Sequence, residues 1–148
     1  LLATGLPGTP GARVEVPGTA NRRGLRLSVG DGVAYVAHAR GMATFNVASP
    51  QAPQLIAFGT TGQFGWKQIV PDGSGLGVAC VGANSTDDGS HDLSLYDVRD
   101  PARTEQFVRT IVTPGLASAV AIHDGWAFVA DGEAGIQVVR YTDPDRGT

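Results

Sequence analysis

Cysteine is almost absent from this chain, which contains one such residue among 148. Because Cys80 has no partner cysteine, no intrachain disulfide can form, and a stable fold has to come from an apolar core. Cys80 itself stands in an apolar segment with no neighbouring His and no helix start. We therefore interpret it as a small buried hydrophobe rather than a reactive thiol.

Charge is also scarce. Charged residues make up 17% of the sequence, and 11 basic against 14 acidic residues leave a formal net charge of −3. The basic residues form no stripe, so we expect no nucleic-acid partner. No apolar run approaches the ~20 residues that a membrane-spanning helix needs, so we expect no membrane insertion.

The sequence also lacks helical periodicity. No segment repeats its apolar residues every 3.6 residues, and Gly or Pro interrupts every longer apolar run. Apolar and polar residues instead alternate in short segments, which is typical of strands. The clearest unit, residues 124–140, contains an Asp-Gly turn, an apolar strand, a glycine-bracketed loop and a second apolar strand. Residues 31–47 repeat this layout, and residues 72–98 repeat it more loosely.

The repeat returns after about 40–50 residues, and four short strands at that period are typical of propeller blades. The predicted fold is therefore all-β, a fragment of a β-propeller built from four-stranded antiparallel blades. A ring needs about four to eight blades, so either the rest of a longer propeller or self-association must close it.

We predict a single partial propeller over residues 1–148, with Tyr35 and Phe128 as core aromatics. Residues 12–16 read as the outer strand of a preceding blade. The three predicted blades cover approximately residues 25–60, 66–112 and 117–144, the last one incomplete.

Several segments resemble the LVIVD-repeat propellers of bacteria and archaea. They are the strand Ala34-Tyr-Val-Ala37, the loop closing on Gly41, the corner Phe45-Asn-Val-Ala-Ser-Pro50 and residues 127–139 of the third unit. The second unit keeps Leu95-Tyr-Asp-Val-Arg-Asp-Pro101 but departs in its second strand. The resemblance implies a propeller, often on secreted or surface proteins, and brings no family-wide catalytic residues.

In such a propeller one rim collects the loops between second and third strands and the connections between blades, here residues 38–40, 60–65, 82–91, 113–115 and 131–133. Loops on a rigid scaffold often carry binding residues. The insertion at 82–91 is rich in oxygen ligands but lacks the spacing and closing Glu of a calcium loop. No nucleophile elbow or converging set of zinc ligands is evident, so we predict no catalytic residue, no metal site and no cofactor. The candidate binding residues are His38, Arg40, Asp87, Asp88, His91, Asp131 and Glu133.

These features predict a non-catalytic interaction or scaffold module of a secreted or cell-surface β-propeller protein, with a protein or a surface ligand as partner. The alternative is part of a propeller enzyme, or of a metal-dependent hydrolase or oxidoreductase, whose active residues lie in missing blades. A cluster of His, Asp or Glu in those blades would favour the alternative. An intracellular scaffold of the WD type ranks last, because the Gly-His and Trp-Asp signatures are missing.

Overall fold

The computed structural model describes residues 12–14, 24–82 and 92–142. Within these ranges the chain forms three antiparallel sheets, which we call sheets I, II and III. Sheets I and II have four strands each and follow the chain order, whereas sheet III has three. The all-β prediction is therefore confirmed, and no helix of the described residues has the length and apolarity to cross a bilayer.

The strands are numbered in chain order. Sheet I contains β1 (Arg26–Gly30), β2 (Val33–His38), β3 (Gly41–Asn46) and β4 (Gln54–Phe58). Sheet II contains β5 (Gln68–Pro71), β6 (Leu76–Val81), β7 (Asp92–Asp97) and β8 (Phe107–Val112). Sheet III contains β9 (Ala119–His123), β10 (Trp126–Ala130) and β11 (Ile136–Arg140), with a short 3-10 turn at Gly132–Ala134 before β11.

Two of the hairpins close through the Asp-Gly turns that the sequence predicts. Asp31 and Gly32 have φ values of 50° and 75°, and Asp124 and Gly125 have 48° and 79°. Two successive positive φ values define the type I′ turn, whose twist matches that of the flanking strands. Asp tolerates this conformation and Gly adopts it freely, so the dipeptide sets the register of each hairpin.

The sheets pack face to face in chain order, with sheet II in the middle. One buried cluster fills the space between sheets I and II, and another fills the space between sheets II and III. The first contains Tyr35, Met42, Trp66, Ile69, Ala79, Val81, Tyr96 and Val98. The second contains Val78, Cys80, Leu93, Leu95, Ala117, Val120, Ala127, Val129 and Tyr141.

The first strands of the three sheets lie next to one another, because β1 contacts β5 and β5 contacts β9. A polar tie joins all three. The Arg26 guanidinium donates to Gln68 Oε1 at 3.2 Å and to the Ser118 carbonyl at 3.1 Å. The same Gln68 oxygen accepts from the Val120 backbone N–H at 3.1 Å. The sheets are therefore connected at their first strands as well as through their faces.

One position of the repeat can be compared in all three sheets. The third residue of the second strand is Tyr35 in sheet I, Val78 in sheet II and Phe128 in sheet III. Tyr35 and Val78 are 6% and 0% exposed, because the next sheet covers each of them. Phe128 is 42% exposed. The prediction of a core aromatic is thus confirmed for Tyr35 and wrong for Phe128, since no described sheet packs against the outer face of sheet III.

Both ends of the stack present apolar side chains to solvent. On sheet I, Leu27 and Val29 are exposed on the face opposite sheet II. On sheet III, the exposed outer face carries Trp126, Phe128, Ile136 and Val138. We call these two surfaces the leading face and the trailing face of the stack.

Of the predicted outer strand at 12–16, the structure describes residues 12–14, which form no strand. Val14 packs against the cluster of Ala34, Ala43 and Phe45 on the leading side of sheet I. In this part of the chain, then, an apolar residue covers a portion of sheet I without pairing to it.

Candidate functional site

The predicted binding rim corresponds to the ends of the sheets where the β2–β3 and β10–β11 loops meet the connections between sheets. Backbone hydrogen bonds from Thr61 to the Arg40 carbonyl and from Gly65 to the Ala39 carbonyl fix the β4–β5 connection to the β2–β3 loop. A backbone hydrogen bond from the Leu116 N–H to the Asp131 carbonyl likewise fixes the β8–β9 connection to the β10–β11 loop. Each loop therefore holds a connection in place.

His38 lies inside this arrangement and is buried. Its ring stacks on Phe58 with centroids 4.4 Å apart and planes 7° from parallel. Nδ1 accepts the Arg40 backbone N–H at 3.3 Å, so Nε2 carries the proton and donates to the Gly59 carbonyl at 3.0 Å. Both ring nitrogens are occupied by the backbone, which makes His38 a structural residue of the loop.

Asp131 occupies the corresponding place in sheet III and is fully buried. One carboxylate oxygen accepts the Thr113 hydroxyl at 2.7 Å, and the other accepts the Gly115 backbone N–H at 2.9 Å. Since buried polar groups need such partners, the carboxylate is committed to holding the β8–β9 connection. His38 and Asp131 thus fulfil the same anchoring role with different chemistry.

Of the remaining candidates, Arg40 and Glu133 lie on the surface. Arg40 is exposed, and its guanidinium lies over the ring of Phe64, 4.4 Å from the centroid. Glu133 is exposed on the 3-10 turn before β11. Asp87, Asp88 and His91 lie outside the described residues. Among the residues that are described, no three His, Cys, Asp or Glu side chains come together in a way that could hold a metal ion.

Cys80 is fully buried in the cluster between sheets II and III. Burial raises the pKa of its thiol to about 11, and this outweighs the opposing effect of the nearby Lys67 and Arg26 charges. A thiol with such a pKa carries almost no thiolate at neutral pH, so it is a poor nucleophile. The interpretation of Cys80 as a small buried hydrophobe is confirmed.

Two cavities open between sheets I and II. The first, of about 410 Å³, lies at the turn end of the sheets beside Asp31, Tyr35, Pro71 and Arg99. Arg99, which lines this cavity, is held by the Asp97 carboxylate, whose two oxygens accept from Arg99 Nε at 3.0 Å. This pairing holds the pKa of Asp97 at about 2.

The second cavity, of about 360 Å³, lies where the β4–β5 connection meets the outer strand of sheet II. We call it the junction pocket; its lining residues are Thr60, Thr61, Gly62, Gln63, Tyr96, Glu105 and Phe107. The sequence prediction included the connection at 60–65 in the binding rim but missed the contribution of sheet II. Tyr96 and Phe107 become cross-strand neighbours through a register shift beside Leu95, and the sequence gives no signal of this irregularity.

Neither a scan against protein-family models nor a search of curated proteins finds a match for this chain. The likeness to the LVIVD-repeat propellers accordingly stays a prediction from the sequence.

Proposed function

We propose that this chain is part of a β-propeller that serves as a non-catalytic interaction or scaffold module of a secreted or cell-surface protein. Three features support a propeller. The sheets stack in chain order, their first strands lie side by side, and the second strands carry small or apolar residues at corresponding positions. Location outside the cell is inferred from the sequence resemblance.

The observation that carries the proposal is the pair of exposed apolar faces at the two ends of the stack. Each sheet likewise has a leading face, towards the Leu27 end of the stack, and a trailing face, towards the Phe128 end. The trailing face of sheet I packs on the leading face of sheet II, and the trailing face of sheet II packs on the leading face of sheet III. The exposed trailing face of sheet III therefore matches, by its repeat positions, a surface that is covered twice within the chain. Its natural occupant is the leading face of another sheet of this type.

A contact between two different faces is heterologous, so it repeats from sheet to sheet and forms a ring where the rotation between successive sheets closes. Further sheets of a longer chain would close the ring covalently, and copies of this chain would close it by association. In either case the ring is a rigid support, and the loops and cavities along its rim are available to a partner.

The proposal is tested by measuring the mass of the chain in solution by light scattering over a range of concentrations. We expect association that increases with concentration. Leu27→Ser, on the leading face, and Phe128→Ser, on the trailing face, should each weaken it. Val112→Ser, which changes an exposed valine of the central sheet, is the matched control and should leave it unchanged.

Mixing the two variants distinguishes head-to-tail packing from other contacts. Each variant keeps one intact face, so the mixture should form a dimer through those two faces and go no further. A chain that stays monomeric at all concentrations would contradict the proposal. So would a Val112→Ser variant that weakens association as much as Leu27→Ser and Phe128→Ser do.

A further inference from the structure

The junction pocket has a rigid polar back wall whose hydrogen bonds are already made. Tyr96 donates its hydroxyl to Gln63 Oε1 at 2.5 Å, and Gln63 Nε2 donates to Ser94 Oγ at 3.0 Å. Ser94 Oγ in turn lies 3.2 Å from Thr110 Oγ1. These groups are committed to one another, so they shape the pocket and leave recognition of a ligand to other residues.

The rim of the pocket is held just as firmly. Thr61 Oγ1 accepts the indole N–H of Trp66 at 3.0 Å and the backbone N–H of Gln63 at 3.2 Å. Trp66 packs against Tyr96, and Tyr96 meets Phe107 edge to face with centroids 5.7 Å apart. The pocket is therefore formed before any ligand enters, which lowers the entropy cost of binding.

Three side chains at the mouth remain open. Phe107 is 52% exposed, and Glu105 and Thr60 are exposed beside it. No hydrogen bond or ion pair links the carboxylate of Glu105 to any other described residue. The neighbouring Arg103 directs its guanidinium to Gln106 Oε1 at 3.1 Å instead. The groups offered to a ligand are thus a carboxylate, an aromatic face and a hydroxyl.

A carboxylate and the face of an aromatic ring both favour positive charge and disfavour anions. A guanidinium satisfies both, because it is planar enough to lie on a ring and its N–H groups pair with a carboxylate. The chain uses the first of these contacts itself where Arg40 lies over Phe64. At about 360 Å³ the pocket also falls within the range, roughly 300–1,000 Å³, of small ligand sites.

We propose that the junction pocket binds an arginine side chain of a partner protein, with the guanidinium on Phe107 and paired with Glu105. This inference deepens the proposed interaction role by naming the partner chemistry. It does not depend on ring closure, because the β4–β5 connection, sheet II and its β7–β8 connection supply the lining residues of the pocket.

The test is an NMR titration of the full 148-residue chain with arginine capped by acetyl and amide groups. Capped citrulline, which has nearly the same shape and no charge, is the ligand control. We expect arginine to shift the amide signals of residues 60–63 and 105–107 in a saturable way and citrulline to shift them far less. Glu105→Gln should raise the Kd about tenfold, as expected for the loss of a charge-assisted hydrogen bond.

Glu133→Gln is the matched variant, since it removes an exposed carboxylate far along the chain, and it should leave the Kd unchanged. Phe107→Ala should weaken binding while the Tyr96 and Gln63 signals keep their folded dispersion. Equal shifts with citrulline, tighter binding of choline than of arginine, or an unchanged Kd in Glu105→Gln would each overturn the proposal. None of these results bears on association through the end faces, so the two proposals can fail separately.

Discussion

Sheets II and III have similar second strands but very different surroundings. Sheet II is covered on both faces, and Val78 and Ala79 on adjacent positions of β6 are both fully buried. In β10 burial alternates, with Ala127 and Val129 buried and Phe128 exposed between them. The strands thus receive their burial from the neighbouring sheet. A position in this repeat is a core position when the next sheet is present.

The largest expected effect tests this dependence directly. Tyr35→Ala should destabilise the chain by about 3–5 kcal/mol, because it empties a site enclosed between sheets I and II. Phe128→Ala, at the equivalent position of sheet III, should cost less than about 1 kcal/mol at concentrations where the chain is monomeric. Urea unfolding of the two variants measures both values. Equal losses of unfolding free energy in the two variants would mean that the trailing face of sheet III is covered.

A smaller effect tests how firmly the buried Asp131 carboxylate fixes the β8–β9 connection to sheet III. Asp131→Ala removes the acceptor of the Gly115 N–H and of the Thr113 hydroxyl in a buried site, so we expect a loss of about 2–3 kcal/mol. The exposed Glu133, two residues further along, provides the control. Glu133→Ala should stay within about 0.5 kcal/mol of the parent chain in the same urea experiment. If Asp131→Ala were equally mild, the carboxylate would be free for another role.

Much of the fold could be predicted because its signals are local. The Asp-Gly turns at 31–32 and 124–125 specify hairpins through backbone conformation, and alternation of apolar residues specifies the strands between them. Phe128 was predicted wrongly for a reason outside its own strand. Its apolar character marks a face that can be buried, whereas its actual exposure depends on a sheet that the described residues do not include.

The candidate site was harder to predict, because polar residues in loops serve structure and binding alike. His38 and Asp131 are polar residues at loop starts, and only three-dimensional contacts show that Gly59 and Gly115 occupy them. Phe107 gives the opposite case. It looks like an ordinary strand residue, and its position in the junction pocket follows from a register shift that no local pattern announces.

The smallest expected effect concerns an exposed ion pair within sheet II, the sheet with two buried faces. Hydrogen bonds from Arg99 are the main cause that lowers the pKa of Asp97 from 3.8 to about 2, and the charge of Arg103 contributes least. Because the folded pKa is depressed, the contribution to stability is present above the unfolded pKa and is lost as the pH falls from about 4 through about 2. Arg99→Gln should raise the pKa of Asp97 towards 3.8, as followed by the carboxyl carbon shift in a pH titration.

Arg103→Gln is the control for that titration and should move the pKa of Asp97 much less. Since Asp97 and Arg99 form their pair in solvent, neither variant should change the unfolding midpoint appreciably at neutral pH. A large loss of stability in Arg99→Gln would show that the Asp97–Arg99 pair at the end of β7 stabilises sheet II as its buried faces do. A small loss would mean that the stability of the central sheet comes mainly from its two packed faces, whereas sheet III packs against a described sheet on one face.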